Sequence, residues 1–147
     1  MGYSIGQVAK KTGLTAHTLR YYEKEGLLPF VQKSGSGLRV FSENDLGWLA
    51  MIECLKGTGM TLKDIKQYID WFIEGDSTLE KRLDMFKRQK VRVAEQMAQL
   101  QQHMEKINYK IAYYSEAVKR GSTDDVLEHN KWLAAEKERL FGKQNNQ

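Results

Sequence analysis

The stretch LTAHTLRYYEKEGLL, residues 14–28, decides how the rest of the chain is read. The Thr15 hydroxyl can accept a hydrogen bond from a free amide of a first helical turn, so Thr15 marks a helix start. Leu14 before this cap and Leu19 within the helix have the spacing of a hydrophobic staple, which fixes the angle of entry. Gly26 supplies the left-handed residue that ends the helix, and Leu27 and Leu28 fold back as apolar cover. Between these stops Leu19 and Tyr22 point one way. His17, Thr18, Arg20, Tyr21 and Lys24 offer donors, cations and an aromatic hydroxyl, the groups that touch phosphates and base edges. By its own charges the helix reads equally well as an ordinary solvated one. Its neighbours decide between the two.

Upstream, Ser4 and Gln7 make a capping box for a helix over about residues 4–12, with Tyr3 and Val8 as its staple and Gly13 as its stop. Two short helices joined by so tight a turn form a helix-turn-helix, whose second member is the usual reader of the major groove. Downstream, Pro29-Phe30-Val31-Gln32-Lys33 and Leu38-Arg39-Val40-Phe41 flank Ser34-Gly35-Ser36-Gly37, which predicts a β-hairpin. Placed here the hairpin is a wing, with Lys33 and Arg39 as phosphate contacts and Gly37 among the glycines that allow close approach; a plain surface hairpin is the alternative. Ser42 with Asp45, and Thr61 with Asp64, open two further helices. Phe41/Leu46 and Met60/Ile65 are their staples, and Leu62, Ile65, Ile69, Phe72 and Ile73 form the apolar stripe of the fourth. A winged domain of four helices over residues 1–75 is expected. Its core comprises Ile5, Val8, Leu19, Leu27, Leu46, Leu49, Ile52, Leu55, Leu62, Ile65 and Ile69.

Gly75 and Asp76 break the pattern, and Ser77 with Glu80 suggests another capping box. A 4-3 spacing then runs through Leu79, Leu83, Phe86, Lys90, Val93, Met97, Leu100, Met104, Ile107, Ile111, Tyr114 and Val118, with Lys90 its single charged member. This is a coiled-coil seam. A helix of roughly 44 residues at about 1.5 Å each spans about 66 Å, too long to bury its stripe on a 75-residue domain. A second copy of the chain is therefore the expected partner, with Leu83, Phe86, Val93, Met97, Leu100, Met104, Ile107 and Ile111 at a homodimer interface and Lys90 setting register. An intramolecular bundle is the alternative. Gly121 stops this helix, residues 76–120, and Ser122, Thr123 and Asp125 cap a short last one within 121–147. Its stripe of Val126, Leu127, Leu133, Ala134, Leu140 and Phe141 is expected to pack on the coiled coil or on the partner subunit, followed by a polar tail, residues 143–147.

Composition narrows the function. One proline and 29% charged residues favour long helices, and the formal net charge of +4 suits a polyanionic partner. The excess is not concentrated in the winged region: residues 1–75 carry 9 Lys+Arg against 8 Asp+Glu. Bulk charge is thus a weak argument for nucleic acid. The single cysteine, Cys54, excludes an intrachain disulfide and a multi-thiolate metal site within one chain. No metal or other cofactor is expected. No apolar signal region and no membrane span is present, so a cytoplasmic protein is expected. His17, His103 and His129 are scattered, no phosphate-binding loop exists, and nothing pairs Cys54 with a base, so no enzyme is expected.

The segments SIGQVAKKTGLTAHTLRYYEKEGLL, residues 4–28, and GLRVFSENDL, residues 37–46, in this order of elements closely resemble the MerR family of bacterial transcriptional regulators. The resemblance implies a mainly α fold: a winged helix-turn-helix domain, a long antiparallel coiled-coil dimerisation helix and a short C-terminal helix. It implies a homodimer that binds double-stranded promoter DNA at an inverted repeat inside an overlong spacer. Effector binding then distorts the DNA, aligning the promoter elements for bacterial RNA polymerase. Carried over by motif, Thr15, His17, Thr18, Arg20 and Tyr21 would be recognition-helix contacts, and Gly37 with Arg39 wing contacts. Leu38 and Phe41 stand where many members carry tyrosines.

The chain has no cysteines near the dimer helix of the kind metal-sensing members carry, and no separate ligand-binding domain like that of multidrug-sensing members is expected after residue 120. What remains is similar to the single-cysteine NmlR/AdhR type, which responds to aldehydes and to nitrosative or other electrophilic stress. Cys54 lies at the matching place, in the helix after the wing. On residues alone it reads first as a buried small hydrophobe, with Lys56 and Lys63 the only cationic neighbours that could activate it, and it is the resemblance that brings the sensing reading level with that one. Two other readings stay open: a site for a small apolar ligand between Tyr109, Tyr113, Tyr114 and Trp132, and a coiled-coil adaptor whose winged domain binds protein.

Overall fold

In the computed structural model, which describes residues 2–122 and 126–142, the chain is mainly helical. The expected caps Thr123 and Asp125, the side chains of Val126 and Leu127, and the tail 143–147 lie outside the described residues. Helix α1 (Ile5–Thr12) starts where Ser4 Oγ accepts from the Gln7 amide and Gln7 Oε1 accepts from the Ser4 amide, the reciprocal box its sequence demands. After Gly13, helix α2 (Ala16–Lys24) begins with Thr15 Oγ1 accepting from the Thr18 amide at 3.0 Å. It ends in a Schellman turn: Gly26 takes φ +79°, its N–H donates to the Glu23 carbonyl, and the Leu27 N–H donates to the Tyr22 carbonyl at 2.9 Å. That turn buries Leu27.

Strands β1 (Gln32–Lys33) and β2 (Arg39–Val40) pair antiparallel with Gln32 opposite Val40 and Lys33 opposite Arg39. Tyr3 bridges to Phe41 beyond them, which anchors the N-terminal segment to the base of the hairpin. Helix α3 (Glu43–Gly57) carries a second capping box, Ser42 with Asp45. Helix α4 (Leu62–Glu74) is capped by Thr61. Val8, Leu19, Tyr22, Leu27, Phe41, Leu49, Ile52, Leu55, Ile65 and Ile69 are buried together as one core. Ile5, Leu46 and Leu62 lie half-buried at its edge. The expected stripe of α4 is narrower than the sequence suggests, since Phe72 and Ile73 are 43% and 54% exposed.

The start of helix α5 (Leu79–Arg120) differs from expectation. A 3-10 turn, Asp76–Thr78, occupies the place assigned to a Ser77/Glu80 box. There the buried Thr78 hydroxyl donates to the Trp71 and Gly75 carbonyls and accepts from Arg82 Nε. Arg82 also donates to the Gly75 carbonyl, so side chains from α5 satisfy the end of α4. Further along, Met85 and Gln89 are buried, and Gln89 Nε2 donates to the hydroxyl (2.9 Å) and carbonyl (3.3 Å) of Thr58. The chain divides into two compact units, residues 1–94 and 95–147, so the first turns of α5 belong with the winged elements.

In the second unit α5 ends at Gly121, φ +73°, and helix α6 (Val126–Phe141) runs back along it. Tyr109 and Trp132 stack with ring centroids 4.4 Å apart, Tyr113 lies 4.7 Å from His129, and Glu136 pairs with Lys106 at 3.0 Å. The side of α6 that faces α5 is therefore His129, Trp132 and Glu136. Leu133, Ala134, Leu140 and Phe141, the described part of the expected packing stripe, are exposed in the single chain. Stacked rings and an ion pair, each with an apolar body and a polar tip, have taken the place of an aliphatic seam.

Candidate nucleic-acid interface

Burial of Leu19 and Tyr22 fixes which way α2 faces. Residues at spacing 17, 20, 21 and 24 fall on the opposite side, and His17, Arg20, Tyr21 and Lys24 are all exposed. Thr15 is less free than its sequence suggests, because its hydroxyl both caps the helix and donates to Thr18 Oγ1 at 3.0 Å. Thr18 is half-buried. The structure thus presents two cations, an imidazole and a phenol on one surface, with two threonines bonded to each other at its N-terminal end.

The wing stands beside this helix and is tied to it. Arg39 Nε donates to Glu23 Oε2 of α2 in an ion pair that holds the hairpin against the helix. Glu23 was invisible as a functional residue in the sequence; the one signal was an acid standing among the basic and aromatic residues of α2. Lys33, opposite Arg39, is exposed, and no acidic residue occurs between residues 26 and 42. Gly37 takes φ +85°, a conformation costly for any residue with a Cβ, and its N–H donates to the Ser34 carbonyl. The tip is closed by the Ser34 N–H donating to the Leu38 carbonyl at 2.6 Å. Leu38 itself is exposed, while Phe41 is buried beneath the hairpin.

A second tie links α2 to α3. The Tyr22 hydroxyl donates to Glu53 Oε1 and accepts from Lys56 Nζ, both at 2.6 Å, and the Lys56 ammonium lies 5.2 Å from the Tyr22 ring centre. Burial first, and then the Glu53 hydrogen bond, raise the Tyr22 pKa above that of an ordinary phenol. The bond to Tyr22 likewise raises the pKa of Lys56. Cys54 stands between these two partners and is exposed rather than built into the core. Lys56, one of its expected cationic neighbours, is engaged by Tyr22 and Glu53.

Along α5, Leu79, Leu83, Met97, Leu100, Met104, Ile107, Ile111, Tyr114 and Val118 are between 51% and 79% exposed in the single chain. Phe86 and Val93, the other apolar seam positions, are half-buried, and Phe86 packs edge-on against Tyr68 at 4.9 Å. Of the aromatics read as a ligand site, Tyr109 and Trp132 stack directly on each other with 6° between their planes, and Tyr113 meets Tyr114 edge-on. Among the described residues no cluster of three or more His, Cys, Asp or Glu could hold a metal ion, and no helix is long and apolar enough to cross a membrane.

Comparison with known proteins agrees with this surface. Residues 3–70 match the MerR HTH family regulatory protein pattern, and residues 46–108 match the pattern described as MerR, DNA binding. An uncharacterised HTH-type transcriptional regulator of Haemophilus influenzae is 44% identical over 126 residues, covering 86% of this chain and 93% of that protein. The regulator AdhR of Bacillus subtilis is 41% identical over 92 residues, 63% of this chain and 66% of AdhR. Among solved structures, HiNmlR, a MerR family regulator lacking the sensor domain and bound to promoter DNA, is 44% identical. It superposes with a TM-score of 0.77 over 86% of this chain and 100% of its own. A relative 93% covered at this identity, the two family patterns and the exposed basic face of α2 lead to one conclusion: this chain is a DNA-binding transcriptional regulator of the MerR family.

Proposed function

We propose that the chain acts in the bacterial cytoplasm as a homodimer, each copy laying α2 in the major groove of one half of an inverted repeat within a promoter spacer. His17, Arg20 and Tyr21 meet base edges or the backbone, with Thr15 and Thr18 at the helix start. Lys24, Lys33 and the Gly37 backbone meet phosphates. Arg39 joins them by setting the wing against α2 through Glu23. On this reading the bound dimer distorts the spacer so that RNA polymerase can engage both promoter elements. The observation that carries it is the exposed face at 17, 20, 21 and 24 beside the acid-free wing. Duplex titration at several salt concentrations tests it: binding must weaken as salt rises, and Lys24→Ala should reduce the slope of log affinity against log salt by about 1. A slope of zero would move the protein out of DNA binding altogether.

The inducing signal is assigned to Cys54. An exposed thiol on α3, next to the residue that holds Tyr22 of the recognition helix, suits a reactive sensor of aldehydes or nitrosating electrophiles. An adduct there would disturb the α2–α3 tie rather than the DNA-facing side chains. Cys54→Ser should abolish induction of the target promoter by formaldehyde, methylglyoxal and S-nitrosoglutathione while leaving DNA binding intact. Unchanged induction would remove the sensing role.

A further inference from the structure

The wing tip carries an apolar residue that no packing accounts for. Leu38 is 71% exposed, more than any other large hydrophobic residue within residues 2–94, whereas the hairpin around it is polar and glycine-rich. Its backbone is fixed: the Ser34 N–H donates to its carbonyl, Gly37 before it holds φ +85°, and β2 begins at the next residue. Leu38 is therefore displayed at a set place on a tied-down hairpin. Around it lie Lys33 and Arg39, with no acid between residues 26 and 42, and the wing is joined through Glu23 to the helix bearing Arg20 and Lys24. This positive surround selects a polyanion, and a duplex also offers what a leucine needs: the apolar carbons of deoxyribose and the groove edge.

We propose that Leu38 is a DNA contact of a different kind from its neighbours. It gives van der Waals contact and excludes water at the sugar edge of the groove, while Lys33 on the neighbouring strand takes a phosphate. The inference rests on the winged-helix reading above and adds to it a contact whose contribution does not depend on salt. Apolar side chains set against a groove contribute by area removed from water, whereas phosphate contacts contribute by counterion release and so carry the salt slope. The two are separable by experiment.

The test uses the full-length protein and a labelled duplex selected by the wild-type protein from a random library. Affinity is measured at several potassium chloride concentrations for wild type, Leu38→Ala, Leu38→Met and Lys33→Ala. Leu38→Ala should bind about ten-fold more weakly at every salt concentration with an unchanged slope, and Leu38→Met should bind within about two-fold of wild type. Lys33→Ala should instead flatten the slope by about 1. Because Leu38 is exposed, Leu38→Ala should melt at the wild-type temperature, which separates lost contact from lost fold. Wild-type affinity in Leu38→Ala, or a changed slope, would overturn the proposal while leaving the winged-helix reading in place. A protein with no salt slope at all would overturn both.

Discussion

Tyr22 couples one side chain to two tasks. Its ring fills the core under α2, and its hydroxyl joins Glu53 and Lys56 of α3, so α2 is held by packing and by a charge-assisted network together. Tyr22→Phe should keep the packing and lose the network. Glu53 and Lys56 already lie 3.9 Å apart and can pair without it, so the expected cost is small, about 0.5–1.5 kcal/mol in urea unfolding. An unchanged midpoint would show that the hydroxyl is bonded equally well by water. Glu136 of α6 is a contrasting case at the same scale. Hydrogen bonds from Arg139 first, and then from Lys106, hold its carboxyl at about 2 against an ordinary 4.5. A folded pKa below the unfolded one means that the contribution is complete above about 4.5 and is lost as pH falls through about 2. Glu136 is half-buried at the protein surface and open to solvent, so the effect is small and weakens with salt. An NMR titration of the Glu136 carboxyl should give a midpoint near 2 in wild type, rising toward 4.5 in Arg139→Ala.

At the level of elements, what was legible in the sequence was whatever acts over three to five residues. Ser4 and Gln7, Thr15, Ser42 and Asp45, and Thr61 all cap the helices they were expected to cap, because capping is a local contest that few other residue types can win. The Gly26 stop and the Gly/Ser hairpin were readable for the same reason. What joins elements was not readable. Arg39 meets Glu23 across 16 positions and Gln89 meets Thr58 across 31, and no periodicity marks either pair. Gln89 in particular sits in a helix whose seam pattern draws the eye to another face. Its amide fastens α5 to the end of α3, where the Thr58 N–H also closes on the Cys54 carbonyl at 3.2 Å. Gln89→Leu would keep the volume of this buried side chain and remove the two bonds it donates to Thr58, whose hydroxyl keeps its bond to the Leu55 carbonyl, at an expected cost of about 1 kcal/mol. Faster hydrogen exchange should then appear at the last turn of α3. Exchange unchanged there would mean that apolar contacts of Met85 and Phe86 hold the joint without it.

For the whole molecule, the open question is what covers the α5 stripe. Nine large hydrophobic residues at the seam positions from Leu79 to Val118 are more than half exposed, a patch that a monomer in water would not keep, and their 4-3 spacing suits a helical partner of the same pitch. Helix α6 does not supply it, because α6 meets α5 through Tyr109, Lys106 and Tyr113, off the seam positions. A second copy of α5 satisfies spacing and length together. Met97 and Leu100 belong to the second unit and are exposed, so a charge placed there strikes the proposed dimer interface. Leu100→Glu should therefore convert a dimer to a monomer in sedimentation equilibrium while the first unit keeps its unfolding midpoint. DNA binding should fall by a factor of about 10²–10⁴, since two linked half-site contacts become one and the effective concentration of the second is lost. A variant that stays dimeric would place the subunit contact elsewhere. One that becomes monomeric yet binds the full site with wild-type affinity would show that a single winged unit, rather than the pair, carries recognition.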